Sequence, residues 1–238
     1  MRVFPCRNTE EVTMYDIYGF VRGPLVWVAF AIFIIGLLFQ ARRFYDCTRE
    51  SSLPSPPASV LGDIKSSGNL RLLDISTSIF GVHPLLTIMT TAFHACVIIL
   101  PIFLLAHNIL LSESFGISLF TFPEFVADML TWFVLLGGLF FFMRRIFVYR
   151  VRVITTAYDY LILLIVIAPF LTGYAATRQW FDYETVLILH IVAGELMLVA
   201  IPFTKLKHGL LFFLYRYLMH YEHTLGRGAR VWSYNQVK

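Results

Sequence analysis

Polar residues in this chain gather in short clusters. Between them lie runs in which apolar residues fill every face of a helix rather than one stripe. Five such runs stand out: Pro24–Ala41, Ile79–Ala106, Phe125–Met143, Tyr158–Tyr174 and Thr185–Thr204. Each is near the ~20 residues a helix needs to cross ~30 Å of hydrocarbon, the first and fourth being shortest. The pattern predicts an all-α integral membrane protein of five transmembrane helices, built as one membrane domain over residues 1–238. Pro84, Pro101, Pro169 and Pro202 fall inside runs, where neighbouring helices can satisfy the carbonyls that proline frees. No internal repeat is visible.

Lysine and arginine orient the helices. With the N-terminus outside, fifteen of the nineteen basic residues fall on inner segments, and only Arg2, Arg7, Arg22 and Arg178 fall outside. The segment 107–124 holds no Lys or Arg at all. The expectation is N-terminus outside and C-terminus inside. The longest connection, 42–78, is then an inner loop containing the turn-rich stretch Leu53-Pro-Ser-Pro-Pro-Ala-Ser. A tail over 209–238 starts amphipathically, with Leu210, Leu211, Phe213, Leu214 and Tyr217 against Arg216 and His220, and reads as an inner interfacial segment touching lipid.

Composition agrees with this reading. Hydrophobic residues make up 58% of the chain and charged residues 14%, with a mean hydropathy of +0.72, too apolar for a soluble domain. The net charge of +4 sits in the connections, so it is no sign of nucleic-acid binding. Cys6, Cys47 and Cys96 form neither CxxC nor CxxCH. That spacing argues against a thiol-bound zinc, an iron–sulfur cluster within this chain and a covalent c-type haem. The first 22 residues mix acids and bases ahead of the first apolar run and do not read as a cleavable signal.

The chemistry of the spans lies in histidine. His83 and His94 occupy the second run, and His190 and His208 lie in or at the end of the fifth. Eleven residues of helix bring a side chain back to within about 20° of its starting face, and eighteen bring it back completely. Each helix therefore presents two imidazoles on one stripe. An intramembrane histidine must find a partner, and two stripes facing each other suit two haems, each with two axial imidazoles. Depth then pairs His94 with His190 on the outer side and His83 with His208 on the inner side. The two vertical separations differ, ~16 Å against ~27 Å. A tilt, or a bend at Pro202, would absorb part of that difference. The alternative is a haem-free anchor or a transporter whose histidines handle metal or protons.

His107 lies thirteen residues beyond His94, about 140° off the stripe, and reads as a residue of the outer mouth. His220 and His223 fall in the tail. Gly194, Ala92, Ala95 and Ala193 flank the ligand positions as small residues would beside a porphyrin or another helix. Glu195, five residues inward of His190, is a costly group in lipid and suits a proton relay, a haem substituent or a helix contact. Arg144 and Arg145 close the third run as inner anchors within reach of an inner haem's propionates.

At these residues the chain resembles the gamma-subunit family of respiratory nitrate reductase, five-helix dihaem cytochromes b. The second and fifth helices of that family supply four ligands, here His83, His94, His190 and His208. The opening Tyr18-Gly-Phe-Val-Arg-Gly-Pro-Leu-Val-Trp and the basic end of the first span are similar to the membrane subunits of the Tmc, Hmc and Dsr redox complexes of sulfate reducers. The resemblance implies two haem b and a place in the cytoplasmic (inner) membrane. It implies transfer of electrons to or from a cytoplasmic iron–sulfur subunit resembling heterodisulfide reductase, a periplasmic multihaem cytochrome c, and menaquinone. The relatives hold a lysine near their quinol site and this chain has none on its outer side, so His107, Asp128 and Trp132 stand as its candidate quinone residues. The reading is an electron-transfer subunit of an oxidoreductase complex, with any catalysis confined to a quinone.

Overall fold

A computed structural model describes residues 9–50 and 84–211, with side chains from residue 15 in the first stretch up to residue 47. Among these residues the chain is helical, with no strand, and five helices are long and apolar enough to cross a membrane. They are Tyr15–Cys47, Pro84–Phe103, Glu124–Phe147, Ala157–Thr177 and Tyr183–Phe203. The chain is a multi-pass membrane protein. His83, most of the 42–78 connection and the tail beyond Leu211 lie outside the described residues.

Helix ends extend beyond the apolar runs because backbone hydrogen bonding does not stop where hydropathy does. The first helix continues through Arg42 and Arg43 to Glu50, so the start of the expected inner loop is helical. The third helix carries on through Arg144 and Arg145 to Phe147. Cations suit that end, where unpaired carbonyls give the helix its negative pole. The fourth helix starts on a capping box, in which Thr156 and Asp159 satisfy each other's backbone N–H groups. The fifth starts on Asp182, whose carboxylate accepts from the Thr185 N–H at 2.9 Å and from its hydroxyl at 2.7 Å.

Those two bonds hold the Asp182 carboxyl below its usual range. A group with a depressed folded-state pKa contributes stability above its unfolded pKa, near 3.9, and loses it as pH falls through the folded value. Asp182→Ala is therefore expected to lower the thermal stability of the purified protein at neutral pH. The difference from the unmodified chain should shrink on acidification, and melting curves across acid to neutral pH check it.

The residues group into two compact units, 1–36 with 92–206, and 37–91 with 207–238. In the first, the second, third and fourth spans share a core of Phe93, Leu100, Ala127, Val134, Val166 and Phe170. Small residues set how closely these helices approach. A Cβ on Gly137 would lie 2.8 Å from the Phe93 ring, and one on Gly138 would overlap Ile167. The first and fifth spans meet at Gly36, where a Cβ would lie 2.8 Å from Pro202. One π-helical turn, Val21–Leu25, holds Pro24 and absorbs its missing N–H. In the second unit, Arg42 and Asp46 pair one turn apart at 3.7 Å, and helix resumes at Lys207 with His208 exposed.

The second run does not form one helix. It stops at Phe103, Leu104 is extended, and a new helix runs from Leu105 to Phe115. The carbonyls left open are taken up by Asn108, which is 4% exposed and donates to Ile102 at 3.0 Å and to Leu104 at 3.3 Å. Its own Oδ1 accepts from the Leu119 N–H at 3.0 Å, while Phe122 N–H reaches the Phe103 carbonyl at 3.0 Å. The helix 105–115 closes on Gly116 in the left-handed region (φ 67°). Arg22–Glu113 at 3.1 Å and Trp27 against Phe115 tie it to the first span.

Candidate functional site

The broken helix changes where His107 points. The offset of about 140° from His94 supposes continuous helix between them, and the joint at Leu104 removes that premise. His107 lies over His190, with ring centroids 6.0 Å apart and planes 14° from parallel. The stripe argument turned His107 away from the fifth helix, whereas its ring lies beside that of His190. His94 lies ten residues into the second helix, half-buried, with the Phe93 ring edge-on to it at 5.9 Å.

Both opposed imidazoles are oriented the same way. His107 Nδ1 lies 2.8 Å from the Pro101 carbonyl and His190 Nδ1 lies 2.9 Å from the Pro169 carbonyl. A carbonyl only accepts, so Nδ1 carries the proton in each ring and Nε2 keeps its lone pair. A backbone acceptor on one ring nitrogen is the arrangement that fixes a metal-ligating imidazole and raises its basicity. Pro101 and Pro169 are therefore more than tolerated breaks. The helix ends two residues after Pro101, leaving its carbonyl free of an intrahelical donor. Thr172 Oγ1 sits a further 3.4 Å from His190 Nδ1 while donating to Ala168.

The two rings are stacked with near-parallel planes, 6.0 Å apart from centre to centre. Both would be donors to one metal only with their Nε2 atoms turned toward each other, and two imidazoles alone would serve a cofactor that brings its own equatorial donors. No cluster of three or more His, Cys, Asp or Glu that would hold a bare metal ion occurs among the described residues.

The glycine crowding this site is on the fourth helix. A Cβ on Gly173 would lie 2.9 Å from His190 Cε1 and 3.1 Å from its Nδ1. Gly194, the glycine expected beside a porphyrin, would present a Cβ with no protein atom within 4 Å.

Asp128 and Trp132 belong to a separate cluster at the same arginine-poor end. Asp128 is ion-paired with Arg178, and Trp132 Nε1 donates to the Tyr174 hydroxyl at 3.1 Å. Arg178 lies over the Tyr174 ring at 5.3 Å, and Trp180 packs on the same ring at 5.6 Å. The third helix begins at Glu124, so Asp128 stands a full turn inside it and is not its cap. Of the three candidate quinone residues, then, two share this cluster and His107 is directed to His190. Tyr174 went unremarked in the sequence, although its place next to Gly173 joins the two groups along one helix.

No family model matches the chain. A protein of Nitratidesulfovibrio vulgaris (strain Hildenborough), described simply as "Protein", is 35% identical to it over 217 residues, covering 89% of this chain and 96% of the relative. At that identity and coverage this chain belongs to the same family as the Nitratidesulfovibrio vulgaris protein.

Proposed function

We propose that the chain is a dihaem b-type cytochrome subunit of a membrane redox complex. It moves electrons across the cytoplasmic membrane between a periplasmic cytochrome c or menaquinone and a cytoplasmic iron–sulfur partner. The observation carrying this reading is the opposed pair His107 and His190, each with Nδ1 held by a proline carbonyl and Nε2 available. A haem held there would supply one-electron chemistry. The chain's part is to hold two imidazoles in fixed orientation, to keep water from them with apolar helices, and to set the local polarity.

The inner haem keeps the pair read from the sequence, His83 with His208. Menaquinone exchange draws less support. Asp128 is bound to Arg178 and Trp132 to Tyr174, so neither offers an unengaged polar group to a quinone.

The test is a reduced-minus-oxidised spectrum of the purified chain with a haem count. Two b-type haems per chain are expected. A chain that purifies folded with no b-type α band overturns the proposal.

A further inference from the structure

Glu195 has no place in the site described above. It lies in the fifth span, is 7% exposed, and neither carboxyl oxygen meets a hydrogen-bond donor among the described residues. An ionised carboxyl without a donor is costly to keep inside a membrane. Glutamine would fill the same volume without the charge.

The helix face it occupies can be read from register. Glu195 and Pro202 are seven residues apart, about 20° from whole turns, and so share a face. Pro202 abuts Gly36 of the first span. Ala29, seven residues before Gly36, is 3% exposed. The first and fifth of five successive spans run in the same direction, so Ala29 stands at the level of Glu195. A small residue there lets the first helix close over the carboxyl.

Among the described residues, the spans around it hold no other charge at its level. Residues 162–173 of the fourth span, 23–36 of the first and 129–143 of the third contain no ionisable side chain. His94 and Cys96 are the ionisable groups of the second span. On its own helix the nearest ionisable group is His190, five residues away, ~7.5 Å along the axis and about 140° round the helix, with His107 against it. In a medium of low dielectric, a charge appearing at His190's partner acts strongly over such a distance, and Glu195 is the ionisable group placed to balance it.

We propose that Glu195 is a redox-linked proton site, an inference that rests on the dihaem reading. As the centre at His190 accepts one electron from a quinol- or cytochrome-class donor, the Glu195 carboxylate takes one proton from the aqueous phase, forming one O–H bond. When the electron leaves, that bond breaks and the proton returns. The net charge of the membrane interior is then the same in both states.

The experiment uses the purified full-length protein, with dithionite as electron donor, and reads infrared difference spectra alongside redox titrations. On reduction, a protonated-carboxyl carbonyl band is expected to grow in and to shift in D2O. Glu195→Gln is expected to abolish that band, and Glu195→Asp to restore it at a displaced frequency. The outer haem's midpoint potential should fall with rising pH in the unmodified protein and be flat in Glu195→Gln. A haem-loaded, unmodified protein that shows no carboxyl change on reduction overturns the proposal without recourse to any variant. So does an undiminished pH slope in Glu195→Gln. Absence of b-type absorption in the unmodified chain would instead remove the dihaem reading beneath it.

Discussion

Replacing His190 by alanine is expected to remove one of two b-type haems, and replacing His107 is expected to remove the same one. Each variant should lose roughly half of the reduced b-type absorbance, because an axial imidazole is one of only two bonds the protein makes to the iron. The basis is the ring pair at 6.0 Å and the matching carbonyl acceptors behind it. His83→Ala should remove the other haem, as should His208→Ala. Redox titration of these four variants and of His94→Ala separates the components by potential. If His107→Ala keeps both haems and His94→Ala loses the component lost in His190→Ala, the outer pair is His94 with His190, and the imidazole stack is a helix contact.

Gly173 gives the second large effect. Valine there would drive its side chain into the His190 ring, since even a Cβ comes within 2.9 Å of Cε1. The ring is held by the Pro169 carbonyl from the same helix, so it cannot turn aside without losing that bond. Overpacking of this kind costs about 1–3 kcal/mol, which the structure can relieve most readily by tilting the imidazole. Gly173→Val is therefore expected to shift the outer haem's potential strongly or to lose that haem, with the inner component unchanged. Equal disturbance of both components would mean that the glycine serves general packing of the fourth and fifth helices.

Much of the architecture was legible because lipid imposes one rule on every residue. Twenty apolar positions in a row have few other uses, so all five spans were found, and the arginines marked their ends. The boundaries moved by as many as fifteen residues, as where helix reaches back from Pro24 to Thr9, because polar residues continue a helix once it has started. The site was less legible. A stripe calculation is sound only while the helix continues, and the joint at Leu104 lies between His94 and His107. Pro101 alone was a weak signal, since Pro169 sits inside its helix without ending it. Asn108 was the stronger clue. An amide seven residues after a proline in an otherwise apolar run needs open carbonyls to bond, and a broken helix supplies them. Gly173 and Glu195 depend on contacts between helices, which no single stretch of sequence contains.

The joint at Leu104 also acts as a mechanical clutch. In an unbroken helix, one inserted residue rotates everything beyond it by about 100° and lifts it by about 1.5 Å. Here the segment after the joint is positioned by its own fastenings: Asn108 to Leu119, Glu113 to Arg22, Phe115 to Trp27. Slack at the joint is taken up locally, and the pose of His107 is uncoupled from the phase of His94. The count of residues between these two histidines is thus not fixed by helix phase. The interval from His107 to Asn108, and the fastenings that follow it, is what must stay in step.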